Sequence, residues 1–489
     1  MPAHIVSPRL GTSRRTRVLD LLEENGTLVV VLGAFAIAML ASLRGGLAAD
    51  GWMALVSGRE IVAHGLPSHE TLTVWAAGRR WVDQQWLAQL LLYGLWRIGG
   101  LKLALLAHAA LSLGALAGAA ALARRLGGSA RSTTWICIPV LVLYYPGASV
   151  MRPQSFAYPL FVATFWLLVM DARKPSRRVF AVLPLLVLWA NLHGSVLLGA
   201  ALVSLAGVVG LAQALTNRSR RTLWHALGLT LAPWPCVLAS PYALDLPAYY
   251  EKVLRGTGFS RFVTEWAPTT LTAVTVPLYL LALGGVWLLG RARGRLSAFE
   301  KIAFLATAVL AFQAVRNIVW FGLVALVLMP VLLDHVRPSA VEPRRLNRLL
   351  ATVVAAGAVV AVAGVAANPE SWFERDFPPG AAAAAAAAAG PEGRVLATSP
   401  FADWLLWTHP ELRGRVAFDA RFELLTSGQL LQAARFLARA GDWTATPRGY
   451  RVIVIGKQED RRLRASLVRS GLARVVRMDR DVVVLRRPG

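Results

Sequence analysis

Apolar runs long enough, or nearly long enough, to cross a bilayer recur about eleven times between residues 27 and 367. A spanning helix needs about 20 largely apolar residues. A chain that keeps producing such runs has few soluble folds open to it. Composition agrees, since 56% of the 489 residues are hydrophobic and only 16% are charged. A soluble domain carries about 25% charged residues. The runs fall at residues 27–43, 100–123, 133–148, 153–171, 179–192, 194–215, 223–240, 273–290, 298–313, 318–334 and 349–367. Beyond residue 368, arginines and acids return and no run reaches spanning length. The expected fold is an α-helical polytopic membrane protein with a small C-terminal α/β domain. Its expected parts are an N-terminal segment 1–26, a membrane part 27–367 and a terminal domain 368–489.

The net charge of +25 raises the question of a nucleic-acid partner. The charges sit in short clusters between apolar runs, not on one basic face interleaved with aromatic side chains, and so exclude that partner. They fit membrane topology and contact with anionic membrane lipids instead. Arg9, Arg14, Arg15 and Arg17 precede the first run, which is too long for a cleaved signal and reads as a signal-anchor from a cytoplasmic N-terminus.

Residues 86–98 are apolar but only about 13 long, so they read as an interfacial helix. Arg124, Arg125 and Arg131 then fall on the cytoplasmic side. With them fall the clusters at residues 173–178, 218–221, 291–295 and 337–348. The opposite side receives a large first loop, 44–99, the turn Asn191-Leu192-His193-Gly194, residues 241–270, the turn at Arg316 and the C-terminal domain. Cys137 and Cys236 lie inside apolar segments and form neither a disulfide framework nor a metal motif.

The terminal domain opens with Pro378-Pro379-Gly380 and nine alanines, closed by Gly390-Pro391. Alanine is the best helix former, and the flanking prolines and glycine are start and stop signals, so a short helix is favoured over a linker. Strand-like runs at 394–397, 416–418, 451–455, 473–478 and 482–485 alternate with helical patterns at 428–440 and 460–470. This is an α/β layer of about 110 residues with no glycine-rich phosphate loop.

The ordered elements of the outer side carry the chemistry. Asp50-Gly51-Trp52 follows the first run, then Gly58, Gly65-Leu66-Pro67, Glu70 and Trp81-Val82-Asp83-Gln84-Gln85-Trp86-Leu87. Met151-Arg152-Pro153-Gln154-Ser155, Asn191-Leu192-His193-Gly194, Glu265-Trp266 and Asp419-Ala420-Arg421 come later. The set resembles the GT-C superfamily of membrane glycosyltransferases, in an uncharacterised bacterial branch. Where that branch carries a second Asp after its Gly-x-Pro turn, this chain has Glu70.

The resemblance implies a hexosyl- or pentosyltransferase of the bacterial plasma membrane, working on its extracytoplasmic face. Its donor would be a polyprenyl-phosphate sugar and its acceptor a glycan, lipid or protein. Asp50 would be the general base that activates an acceptor hydroxyl, with Glu70 and Asp83 as further acidic candidates. Arg152 and Arg316, at outer membrane edges, would meet the departing phosphate. Asn191, His193, Glu265 and Trp266 would contact sugar or acceptor.

Each assignment has a plainer rival: a helix-capping acid, a snorkelling arginine, a turn satisfied by its own side chains, an aromatic-belt tryptophan. No cofactor is argued from the sequence, and a divalent metal is left open. Two other functions are compatible with the sequence: a flippase or transporter of lipid-linked saccharide, and a non-catalytic scaffold for the terminal domain. The spans are nearly free of charge and show no internal repeat, which favours surface chemistry over transport.

Overall fold

The computed structural model describes residues 24–218, 220–255, 263–337 and 344–488; the N-terminal arginines lie outside them. The helical part runs α1 (Gly26–Ser42), α2 (Ala49–His64), α3 (Trp86–Arg125), α4 (Ala130–Ala148), α5 (Ala157–Arg173), α6 (Val182–Leu192), α7 (Val196–Asn217) and α8 (Arg220–Leu231). It continues through α9 (Pro233–Val237), α10 (Leu246–Arg255), α11 (Val276–Arg291), α12 (Ala298–Gln313), α13 (Ile318–Val336) and α14 (Arg344–Ala367). Every apolar run of the sequence falls on a helix. Among the described residues, six helices are long and apolar enough to cross a membrane. Leu283, Val359 and Val360 point outward with 70%, 69% and 70% of their surface open, as side chains facing lipid do. The chain is an integral membrane protein.

Two features of the helical part shape the end that carries the first loop. The helix α3 breaks where its length predicts, at Gly99 (φ −144°, ψ 24°) and Gly100 (φ 66°, ψ −166°). Gly100 needs that left-handed φ, and its amide neighbour Leu101 donates to Glu370 at 3.0 Å. Residues 86–98 therefore form a separate arm before the spanning portion. The expected run at 223–240 is likewise interrupted at Pro233, which lacks an N–H and divides α8 from α9.

The second feature is close packing of α2 on that arm. A Cβ on Gly58 would lie 2.5 Å from both the Gln89 carbonyl oxygen and Tyr93 Cβ. Backbone cannot yield as a flexible side chain does. Gly58→Ala is therefore expected to cost about 1–3 kcal/mol, the usual range for overpacking, read as a lowered thermal midpoint of purified protein.

The terminal region contains α15 (Glu370–Phe373), α16 (Pro379–Ala389), α17 (Phe401–Thr408), α18 (Ser427–Ala438), α19 (Ala445–Arg448) and α20 (Arg461–Arg469). Its strands β1 (Val395–Ala397), β2 (Val452–Gly456), β3 (Arg474–Met478) and β4 (Val482–Arg486) make one sheet in the order β1-β2-β4-β3. β1 runs parallel to β2, and β4 is antiparallel to both β2 and β3. The alanine run is the helix α16, and it packs on β2, β3 and β4. Ala381, Ala382, Ala385, Ala388 and Ala389 form its buried face, spaced as one side of a helix requires. Methyl side chains let its backbone approach the sheet.

The strand-like run at 416–418 forms only isolated bridges, but they join two distant parts of the chain. Val416 bridges Val395 on one side and Thr73 of the first loop on the other, both parallel. Val74 and Trp75 donate their amides to the carbonyls of Val416 and Ala417 at 2.8 and 3.0 Å, and Gly414 donates to Leu72 at 2.9 Å. The first loop thus adds its backbone to the terminal sheet, while α17 packs on α2. Arg59 donates to the Leu406 and Trp407 carbonyls at 2.6 and 2.8 Å, and Arg413 pairs with Glu60 at 2.9 Å.

Candidate active site

Asp50 lies in the first turn of α2, where unsatisfied amides and the helix dipole favour a carboxylate. The Met151 amide donates to the Gly46 carbonyl at 2.8 Å, which lays the Arg152 segment beside that turn. Arg152 Nε then stands 3.4 Å from Asp50 Oδ2, and its Nη1 pairs with Glu265. The Val315 amide donates to the Ala267 carbonyl at 3.1 Å, tying the turn before α13 to the Glu265 segment. The guanidinium of Arg316 stacks on the Trp266 ring, 4.1 Å from its centroid. Five of the nine residues singled out in the sequence, Asp50, Arg152, Glu265, Trp266 and Arg316, thus come together at one end of the helices.

The Asp50 side chain keeps 46% of its surface accessible, yet the surrounding protein desolvates it. That burial pushes its pKa above the ordinary carboxylate value; Arg152 opposes the rise and Glu265 adds to it. The acid is at once accessible and partly desolvated.

His193 belongs to the same neighbourhood. Its pKa is pushed down to about 3, first by burial and then by Arg316 and Arg152, so the ring is neutral at physiological pH. Nδ1 accepts the Ser195 amide at 3.1 Å and contacts the Ser195 hydroxyl at 2.7 Å. The proton therefore resides on Nε2, which is the ring's available donor.

The other candidates are placed differently. Glu70 is buried (1% exposed), and its Oε1 accepts the amides of Leu72 and Thr73 at 2.6 and 2.7 Å. Its Oε2 pairs with Arg421. Arg421 also pairs with Asp419 and lies over the Trp81 ring, 4.2 Å from its centroid. Burial works against the Arg421 cation, but Asp419 and Glu70 together hold its pKa above the ordinary value. Glu70 is thereby a clasp between the first loop and the terminal domain, its oxygens already engaged.

Asp83 is also buried and accepts from Gln89 Nε2 at 2.9 Å. Burial, countered by Arg421, pushes its pKa up to about 7. Asn191 accepts from Trp86 Nε1 at 2.9 Å and donates to the Val187 and Ala239 carbonyls at 2.9 and 2.8 Å. It fastens the Trp86 arm to α6 and has little capacity left for a ligand.

Sequence reasoning missed Asp403 and Glu423. Asp403 is fully buried and accepts the Ala420 amide at 3.2 Å. Its pKa is raised first by burial and then by Asp419, and the field of Asp50 also reaches it. Glu423 is pushed up to about 7, mainly by burial. An acid in the first turn of a helix, as Asp403 is in α17, carries no signal in sequence beyond capping. Among the described residues, no group of three or more His, Cys, Asp or Glu is placed to hold a metal ion.

No protein-family model and no curated protein matches the chain. Solved structures do. ArnT from Cupriavidus metallidurans, in the apo state and bound to undecaprenyl phosphate, superposes with a TM-score of 0.51 at 17% identity, covering 94% of this chain and 97% of that one. The Archaeoglobus fulgidus oligosaccharyltransferase superposes with a TM-score of 0.50 at 12% identity, over 88% of this chain and 69% of its own. One structure of the archaeal protein holds an inhibitory peptide and a dolichol-phosphate. At these identities the likeness is one of fold. The chain has the GT-C fold, as its motifs lead one to expect.

Proposed function

We propose that this chain is a glycosyltransferase that takes a sugar from a polyprenyl-phosphate carrier and passes it to an acceptor hydroxyl on the extracytoplasmic face, with Asp50 as general base. The observation that carries the proposal is the Asp50–Arg152 pair, with Arg316 and a neutral His193 within its electrostatic reach. Binding of polyprenyl phosphates by the two structural neighbours supports it.

In the reaction, an acceptor oxygen attacks the anomeric carbon and the bond to the lipid phosphate breaks. Asp50 takes the proton, and its raised pKa makes it a better base. Arg152 exchanges its carboxylate partners for the phosphate leaving group, and Arg316 adds a second cation. His193 Nε2–H donates to a sugar or acceptor oxygen. Glu70 and Asp83 position the outer loop in this reading.

Arg316→Ala is expected to lower kcat/KM for undecaprenyl-phosphate sugars by about 10- to 100-fold, the worth of one charged hydrogen bond. Transfer of radiolabelled sugar from a panel of such donors, with recovery of folded protein as control, is the test. Unchanged transfer by both Arg316→Ala and Arg152→Ala would remove the phosphate role from the proposal.

A further inference from the structure

A cavity of about 610 Å³ opens at the end of the helices opposite Asp50. It lies between the C-terminus of α5, the turn Arg177–Ala181, the α7–α8 hairpin and the start of α12. α5 alone is 17 residues, so the cavity is about 25 Å from the Arg152 end. Its inner wall is apolar, built by Phe180, Val209 and Leu229, and its rim is polar, with Asp171, Arg177 and His225. The acid of the rim is already engaged. Asp171 accepts from His225 Nε2 at 3.0 Å and from the Ser176 amide at 2.7 Å. Glu300, close by on α12, pairs with Arg173 at 3.0 Å.

Arg177 of the lining is exposed, and so are the cations beside lining residues in the chain, Lys174, Arg178 and Arg220. Trp224 at the rim and Leu215 on α7 present 73% and 71% of their surface, as side chains facing lipid do. The volume has room for about 20 water-sized groups, enough for a glycerophosphate headgroup and its first methylenes.

We propose that this cavity seats one anionic glycerophospholipid of the leaflet opposite Asp50. The phosphate lies at the Arg177–His225 rim and the chain starts along Phe180, Val209 and Leu229. Charge complementarity at the mouth and an apolar interior select an anionic amphiphile over a soluble anion or a zwitterionic lipid.

Native mass spectrometry of the full-length protein in detergent tests this with phosphatidylglycerol, phosphatidylethanolamine and inorganic phosphate as separate probes. Phosphatidylglycerol adducts are expected to exceed phosphatidylethanolamine adducts by about tenfold. Val209→Trp, which fills the interior, is expected to abolish them, and Arg177→Glu to reduce them by about tenfold. Thermal midpoints measured with phosphatidylglycerol should rise in the wild type and stay flat in Val209→Trp. Equal retention of the two lipids overturns the proposal, as does displacement of phosphatidylglycerol by equimolar inorganic phosphate. Wild-type retention by Arg177→Glu also overturns it, and that exposed substitution carries the test if the filled variant does not fold.

Discussion

Asp50→Asn is expected to lower sugar transfer by about 1,000-fold while leaving the protein folded. A positioned general base contributes about 100- to 10,000-fold, and asparagine keeps the shape of the side chain while giving up its basicity. The effect on stability is small because the carboxylate retains nearly half of its accessible surface, where an ion pair contributes at most about 1 kcal/mol. The sign of the pH dependence follows from the direction of the Asp50 shift. Transfer needs the ionised acid, burial raises its pKa, and the rate falls as pH drops through that raised value. Asp50→Asn loses this acid limb along with the activity. Initial rates with radiolabelled undecaprenyl-phosphate sugars across pH, alongside size-exclusion profiles of both proteins, decide it. Wild-type rates from the variant would end the assignment of Asp50.

Arg421→Leu is expected to destabilise the protein by about 3–5 kcal/mol, because it leaves carboxylates buried without their cation. The Glu70 side chain is fully buried and that of Asp419 nearly so, and both pair with Arg421. The loss is expected to be shared by the first loop and the terminal domain, since the cation joins them. Thermal unfolding and limited proteolysis should show both regions becoming susceptible together. The double variant Glu70→Gln, Arg421→Leu should recover part of the loss, since it removes one of the two stranded charges. A single variant as stable as the wild type would show that the clasp contributes nothing.

Much of the architecture was legible because the bilayer imposes length. Thirteen apolar residues are too few to span, and the break at Gly99 and Gly100 separates that arm from the spanning helix. The Asp50 neighbourhood was legible in its members, since motifs at the same ends of helices had to share a side.

What sequence did not reveal is which polar groups answer one another. Glu70 and Asp50 look alike as loop acids, yet one is held by two amides and Arg421 while the other stays accessible beside Arg152. That difference comes from a residue 351 positions away in the chain. Asn191, chosen as a sugar contact, spends its hydrogen bonds on Trp86 and two carbonyls for the same reason. Residues 416–418 were strand-like, but their second partner, Thr73, lies in a loop without a strand pattern.

The bridge from Thr73 through Val416 to Val395 changes where the protein can be cut. A boundary drawn at residue 368 divides the chain by composition, but it would strip the sheet of a neighbour and leave Glu70 facing a void. Exchange of the terminal part between homologous proteins must carry the backbone around Leu72 to Trp75 with it. The two segments are one graft.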